Sequence, residues 1–221
     1  MVCYKRSSVA ESTFRFSRLT IRSTGRKPAA RAVGRLPRAL CGKWSTSAVK
    51  ASVFVGTSLD GFIARGNGEL DFLPPDGGEP HGYDEFMATV DALVIGRKTF
   101  EAVLAFDAWP YGKKPVFVLS TNPLPSVPTG AAVEQMSGAP AEIVSQLAAR
   151  GVRHIYVDGG ITIQRFLQAG LIQRLIITRV PVLIGAGIPL FGALQGDIVL
   201  EHIETRQYAS GLVRSEYEVA A

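Results

Sequence analysis

The sequence predicts an α/β fold: a mixed, mostly parallel sheet covered by helices, with an antiparallel edge. Three observations carry this. From about residue 50, short apolar runs alternate with segments of helical spacing. Two of those runs end in glycine turns that lead directly into a helix. The C-terminal stretch then alternates apolar and polar residues around Ser210-Gly211, the pattern of a hairpin.

The elements follow in order. Ala51–Val55 is a short apolar run, read as a buried strand closed by the loop Gly56-Thr-Ser-Leu-Asp-Gly61. Pro74, Pro75, Gly77, Gly78 and Pro80 mark a long loop before a short helix over Tyr83–Thr89. Ala92–Ile95 is a strand, Gly96 a turn, and Lys98–Leu104 a helix. Val116–Leu119 is a strand after Pro115, and Pro123, Pro125 and Pro128 keep Ser120–Gly130 out of regular helix. Ala141–Arg150 places Ile143, Val144 and Leu147 on one helical face, and Gly151 stops it. His154–Val157 is a strand ending in Asp158-Gly159-Gly160, followed by a helix to about Ala169. Leu175–Ile184 reads as one long central strand interrupted only at Pro181, and Ile198–Gln207 with Leu212–Val219 as the closing hairpin.

Composition narrows the chemistry. The net charge of +5 splits sharply along the 221 residues. Residues 1–50 hold twelve of the 24 Lys and Arg against one acid, Glu11, a net +11. Residues 51–221 hold twelve basic and eighteen acidic residues, a net −6. Residues 1–48 are read as a disordered basic leader outside the fold, and residues 49–221 as the folded domain. The leader is rich in Arg and Ser and has no long apolar core, which fits an organelle transit peptide; a start site assigned too far upstream is the equal alternative. The first would place the domain in a plastid or mitochondrion, the second in a bacterial cytoplasm. The acidic body has no basic run longer than two residues, which sets nucleic-acid binding aside for it. No stretch approaches the roughly 20 apolar residues of a membrane span. Cys3 and Cys41 both lie in the leader, so the body has no thiol nucleophile and no cysteine metal site. His81, His154 and His202 lack ligand-like spacing, and no metal is expected. A domain this poor in reactive side chains, if an enzyme, takes its chemistry from a cofactor.

Two strand-to-helix turns offer the place for one: Ile95-Gly96-Arg97-Lys98-Thr99 and Asp158-Gly159-Gly160-Ile161-Thr162. In an open α/β sheet such turns lie beyond the carboxyl ends of strands, where ligands bind. The first turn of each helix has N–H groups without intrahelical partners, suited to phosphate. Glycine is expected there to let a pyrophosphate approach the backbone. Arg97 and Lys98 add charge and Thr99 a hydroxyl, which favours NADPH over NADH through the additional 2′-phosphate. Neither turn matches the GxGxxG fingerprint, so an ordinary Rossmann domain is not indicated.

Five segments, in order, resemble the dihydrofolate reductase superfamily, on the branch of the riboflavin-biosynthesis reductase domain. They are Thr57-Ser-Leu-Asp-Gly-Phe-Ile-Ala64, Asp91-Ala-Leu-Val-Ile-Gly-Arg-Lys-Thr-Phe-Glu101, Val116-Phe-Val-Leu-Ser-Thr121, Tyr156-Val-Asp-Gly-Gly160 and Pro181-Val-Leu-Ile-Gly-Ala-Gly-Ile-Pro-Leu-Phe191. The resemblance implies a three-layer fold on an eight-stranded sheet, NADPH as hydride donor, a small pterin- or pyrimidine-like substrate, and a homodimer. It implies that Gly96, Arg97, Lys98 and Thr99 hold the 2′-phosphate and pyrophosphate, with Ser120 and Thr121 beside the adenosine. Gly159 and Gly160 would form the glycine pair at the pyrophosphate, often with a cis peptide, and Ile161 and Thr162 would donate backbone N–H groups. Gly56, Ile63 and Ala64 would frame the nicotinamide, Asp60 would anchor that loop, and Thr178 would bring a hydroxyl near the substrate. The turn Gly96-Arg-Lys-Thr99 is of the folate-reductase kind, and the Asp-Pro-Xaa-Leu plus arginine motif of riboflavin-pathway reductases is absent. Folate reductases carry an acid on the first helix that assists protonation, for which Asp84 and Glu85 are the candidates. Reduction of the riboflavin-pathway aminopyrimidine is the first expectation and dihydrofolate the second. A non-catalytic NADPH-binding module is the alternative outside enzymes.

Overall fold

The structure, a computed structural model, describes residues 49–74 and 81–220. The leader and most of the Pro74–Pro80 loop lie outside these residues. The elements are β1 (Lys50–Ser58), β2 (Phe62–Ala64), α1 (Tyr83–Thr89), β3 (Ala92–Gly96), α2 (Arg97–Leu104), β4 (Val116–Leu119), β5 (Val133–Met136), α3 (Pro140–Ala149), β6 (His154–Asp158), α4 (Gly160–Gln168), β7 (Arg174–Val180), β8 (Ile188–Pro189), β9 (Leu200–Gln207) and β10 (Val213–Val219). Eight strands form one sheet in the order β5-β4-β3-β6-β1-β7-β10-β9, and β2 pairs with β8 in a small second sheet. Pairings are parallel from β5 to β7 and antiparallel at β7–β10 and β10–β9, as the sequence predicts.

The strands of the sheet's middle are apolar on both faces because both are covered. One face packs Val53, Val55, Val157 and Ile177 against Ile143 and Leu147 of α3 and Ile163 and Phe166 of α4. The other packs Phe54, Leu93, Ile95, Tyr156 and Ile176 against Phe86 of α1 and Phe100 and Val103 of α2. Helices on both faces make three layers, the dihydrofolate reductase-like α/β arrangement. Among the described residues no helix is long and apolar enough to cross a membrane.

Four expectations need correction. Gly56, Thr57 and Ser58 belong to β1 and not to a loop, because seven residues from Ser52 to Ser58 pair with Arg174–Val180. The long strand over Leu175–Ile184 ends at Val180, since Pro181 has no N–H for the ladder and the chain turns away to β8. Strands β2, β5 and β8 were not expected; β5, Val-Glu-Gln-Met, is an edge strand with mixed burial and only β4 for a neighbour. No cis peptide occurs among the described residues, so Gly159–Gly160 is trans.

Candidate cofactor and substrate site

β3 and β6 are neighbours in the sheet, so their carboxyl ends bring the two glycine turns together. Gly96 caps α2 and Gly159 caps α4. The turns interlock through the missing side chains. A Cβ on Gly96 would stand 2.9 Å from Thr162 Oγ1, and a Cβ on Gly159 would collide with Thr99 Oγ1. Gly159 also has φ +95, which side-chain-bearing residues rarely adopt. A Cβ on Gly160 would meet Ile63 Cδ1 at 3.1 Å and Ile188 Cγ2 at 3.2 Å, from the small β2–β8 sheet. The space beside these glycines is therefore filled by protein. Glycine is required here by the close packing of two helix starts. The first-turn N–H groups of both helices have no intrahelical partners, which is the feature that suits a helix start to an anion.

Between the turns sits Asp158, fully buried, whose Oδ1 accepts the Gly159 N–H at 2.7 Å. It lay inside a quoted motif but was not singled out in the sequence; its position at the end of β6 was the available signal. Thr162 is buried, Thr99 half-buried, and Lys98 exposed at the rim. Ile161, in the first turn of α4, leaves its side chain 67% exposed.

Arg97 is strapped to the neighbouring loop. Its Nε donates to Glu101 at 2.7 Å, and one Nη donates to the Pro123 carbonyl at 2.6 Å and the Asn122 carbonyl at 3.2 Å. The same Nη reaches Ser120 Oγ at 3.5 Å. Ser120 in turn donates to the Asn122 carbonyl, and Thr121 is exposed beside it. Arg97, Ser120 and Thr121 are thus brought together as one rim next to the α2 start.

On the other side of the turns lies the end of β1. Ile63 and Ala64, on β2, are buried, and Gly56 is buried within β1. Asp60 accepts the N–H of Gly185 at 2.8 Å and of Ile184 at 3.2 Å, which ties the β1–β2 loop to the loop after β7. The Ser58 hydroxyl and those two amides hold its carboxyl below the usual aspartate range. Thr178 stands on β7 opposite Gly56, 5% exposed, its buried Oγ1 without a hydrogen-bond partner among the described residues. Asp84 and Glu85 lie in the first turn of α1, both exposed; Glu85 Oε2 would stand 3.9 Å from a Cβ on Gly82, the glycine that backs onto Arg214. Arg214, on β10 opposite Thr178, is a buried cation that the sequence reading missed. Only the strand register places it here.

The residues present fit a phosphorylated dinucleotide: two converging helix starts, two hydroxyls between them and cations at the rim. Among the described residues no cluster of His, Cys, Asp and Glu could hold a metal ion.

Comparison with known proteins agrees with this architecture. The family model of the RibD C-terminal domain matches residues 50–214. The Bacillus subtilis (strain 168) "Uncharacterized protein YwjB" is 32% identical over 166 residues, covering 74% of this chain and 94% of its own. A Shewanella sp. PV-4 structure, provisionally described as a riboflavin biosynthesis protein, superposes with a TM-score of 0.71 at 40% identity, covering 78% of this chain and all of its own. Dihydrofolate reductase from Enterococcus faecalis, solved with NADP(H), superposes at 0.55 with 16% identity over 79% of this chain and 98% of its own, which shows the shared fold. The matched segment runs from the first strand to the last, and with it the chain belongs to the RibD C-terminal domain family.

Proposed function

We propose that this chain is an NADPH-dependent reductase of a small pterin- or pyrimidine-like molecule. The reaction first expected is reduction of 5-amino-6-(5-phosphoribosylamino)uracil or a close relative. The observation that carries the reading is the interlocked pair of helix starts on adjacent strands β3 and β6, one step from a buried polar row on β1 and β7. NADPH bound there would supply a hydride. The chain's own residues do the rest. Thr99, Thr162 and the first-turn amides of α2 and α4 hold the pyrophosphate; Lys98 and Arg97 hold the 2′-phosphate, Arg97 sharing its guanidinium with the Pro123 and Asn122 carbonyls. Ser120 and Thr121 border the adenosine. Gly56, Ile63 and Ala64 form the wall against which the nicotinamide lies, and the Asp60 clamp fixes that wall. Thr178 faces the substrate. Fixing donor and acceptor carbons in contact supplies the larger part of the rate, up to about 7–11 kcal/mol.

Asp84 and Glu85 are exposed, so as proton donors they act through water. The exposure of both acids on α1 favours a pyrimidine over dihydrofolate, whose reductases use an acid inside the pocket. The unpaired edge of β9, with Leu200 and Ile203 exposed, is the surface for a homodimer.

The test is thermal stabilisation of the full chain by NADPH and, separately, by NADH. A clear rise with NADPH and little with NADH supports the reading and justifies turnover assays with pyrimidines and pterins. No response to either overturns it.

A further inference from the structure

Four neighbouring strands present two consecutive rows of side chains on the α1 face. The first row, Phe54–Ile176–Glu216–Glu204, runs beneath α1, where Phe54 stacks on Phe86 with centroids 5.0 Å apart. The second row lies one pleat nearer the carboxyl ends of β1 and β7 and reads Gly56–Thr178–Arg214–Arg206. A position without a side chain is followed there by a buried hydroxyl and a buried guanidinium. Thr178 is 5% exposed and Arg214 7%, and among the described residues neither Thr178 Oγ1 nor Arg214 Nε has a hydrogen-bond partner. Directly opposed on antiparallel strands, the two residues have Cβ atoms about 5 Å apart on one face.

The rest of the guanidinium is fixed. One Nη donates to Glu204 Oε1 at 2.6 Å and the other to the His81 carbonyl at 2.7 Å. Gly82 has φ +79 and backs onto the second Nη so closely that a Cβ would collide with it. The hairpin and the entry to α1 therefore hold Arg214 from two sides and leave one charged N–H over. Leaving such a donor buried and unpaired is costly, and in native structures it calls for a partner or a function.

We propose that Arg214 is a specificity residue of the substrate half of the site. Its Nε–H, beside the Thr178 hydroxyl, takes an acceptor oxygen on the ring of a planar heterocycle lying over Gly56. This rests on the reading above that puts the substrate at the carboxyl ends of β1 and β7. Arginine can only donate, whereas a threonine hydroxyl can donate or accept. A ring bearing amino groups at this edge would set donor against donor. The pair therefore selects oxo-substituted rings over amino-substituted ones.

The test uses the full chain and two probes, 5,6-diaminouracil and 2,4,5,6-tetraaminopyrimidine, which carry oxo and amino groups respectively at ring positions 2 and 4. Each is titrated calorimetrically with NADP⁺ present, and NADPH affinity is measured separately. Arg214→Lys keeps a cation for Glu204 and loses Nε; Thr178→Val keeps the shape and loses the hydroxyl. The uracil is expected to bind about tenfold or more tighter than the tetraamine, the worth of a charge-assisted hydrogen bond in a dry site. Arg214→Lys is expected to erase most of that preference, and Thr178→Val to weaken uracil binding with NADPH affinity unchanged. Should Arg214→Lys unfold the chain, Thr178→Val together with the wild-type preference decides. Equal binding of the two probes, no binding of either, or full affinity in folded variants overturns the proposal. If NADPH fails to bind while the uracil preference persists and depends on Arg214, the cofactor reading fails and the role of Arg214 stands.

Discussion

Replacing Gly159 with alanine tests the interlock between the two helix starts directly. Two costs are expected, and they can be separated. A non-glycine residue at φ +95 carries backbone strain of about 1–3 kcal/mol. The new methyl also meets Thr99 Oγ1, and overpacking of this kind costs about 1–3 kcal/mol. Together they remove about 2–6 kcal/mol, a large share of the roughly 5–15 kcal/mol of a typical domain. Thr99→Ala in the Gly159→Ala background removes the colliding oxygen but leaves the strain. Urea unfolding of wild type, both single variants and the double variant, without added nucleotide, yields the coupling energy. A favourable coupling of about 1–3 kcal/mol is expected. If the double variant is destabilised by the sum of the single ones, Thr99 does not set the need for glycine and the packing account of this turn is refuted.

Three other perturbations read different parts of the molecule. Arg97→Ala should weaken NADPH on the order of tenfold to a hundredfold and NADH much less, measured by fluorescence titration; equal losses would remove the 2′-phosphate from Arg97. Asp60→Ala should speed amide hydrogen exchange at Ile184 and Gly185, its two backbone partners, with little change elsewhere. Because the folded state lowers the Asp60 pKa, wild-type protection of these amides is complete above the ordinary aspartate value of about 3.9 and fades as pH falls through the lower folded value; flat protection across that range would contradict the clamp. Burial holds the His154 pKa below its ordinary value, so its neutral ring, bonded to Ser52 and Thr89, stabilises the fold above about pH 6.5. That contribution is lost as pH falls from there through the folded pKa. Thermal midpoints should decline across this window in wild type and less steeply in His154→Gln.

The parts of the fold legible in the sequence were those set by local signals. Tyr83–Thr89 and Val116–Leu119 fall where helical spacing and the apolar run after Pro115 put them. The glycine turns at 96 and 159 were visible because an apolar strand, a glycine and a helical pattern follow one another in each. Features fixed by distant partners were not. β1 runs on through Ser58 because β7 pairs with it across more than a hundred residues of sequence, and β2 and β8 exist only as each other's partners. Within the site, Asp158 was quoted without a role, since burial by two turns is not a property of its neighbours in sequence. Arg214 was hidden for the same reason. In Leu212-Val-Arg-Ser-Glu-Tyr it reads as one charge in an alternating hairpin, and only the register puts it opposite Thr178. β9 pairs with β10 as the hairpin pattern predicts, and nearly all of it is exposed at the sheet's edge.

The strand order also dictates when the site can come into being. β10, the last strand made, is inserted between β7 and β9, and the first strand, β1, lies between β6 and β7. The two glycine turns already require β3 and β6 to find each other across some sixty residues, and the row over β1 and β7 is closed only when β10 has paired with β7. Pairings of this length are formed slowly, because loop closure precedes any gain from the contacts. The two glycine turns can therefore meet before β10 has joined the sheet, whereas the row that holds Arg214 cannot form without it. On the function proposed above, affinity for the nucleotide would precede affinity for the heterocycle as this domain folds.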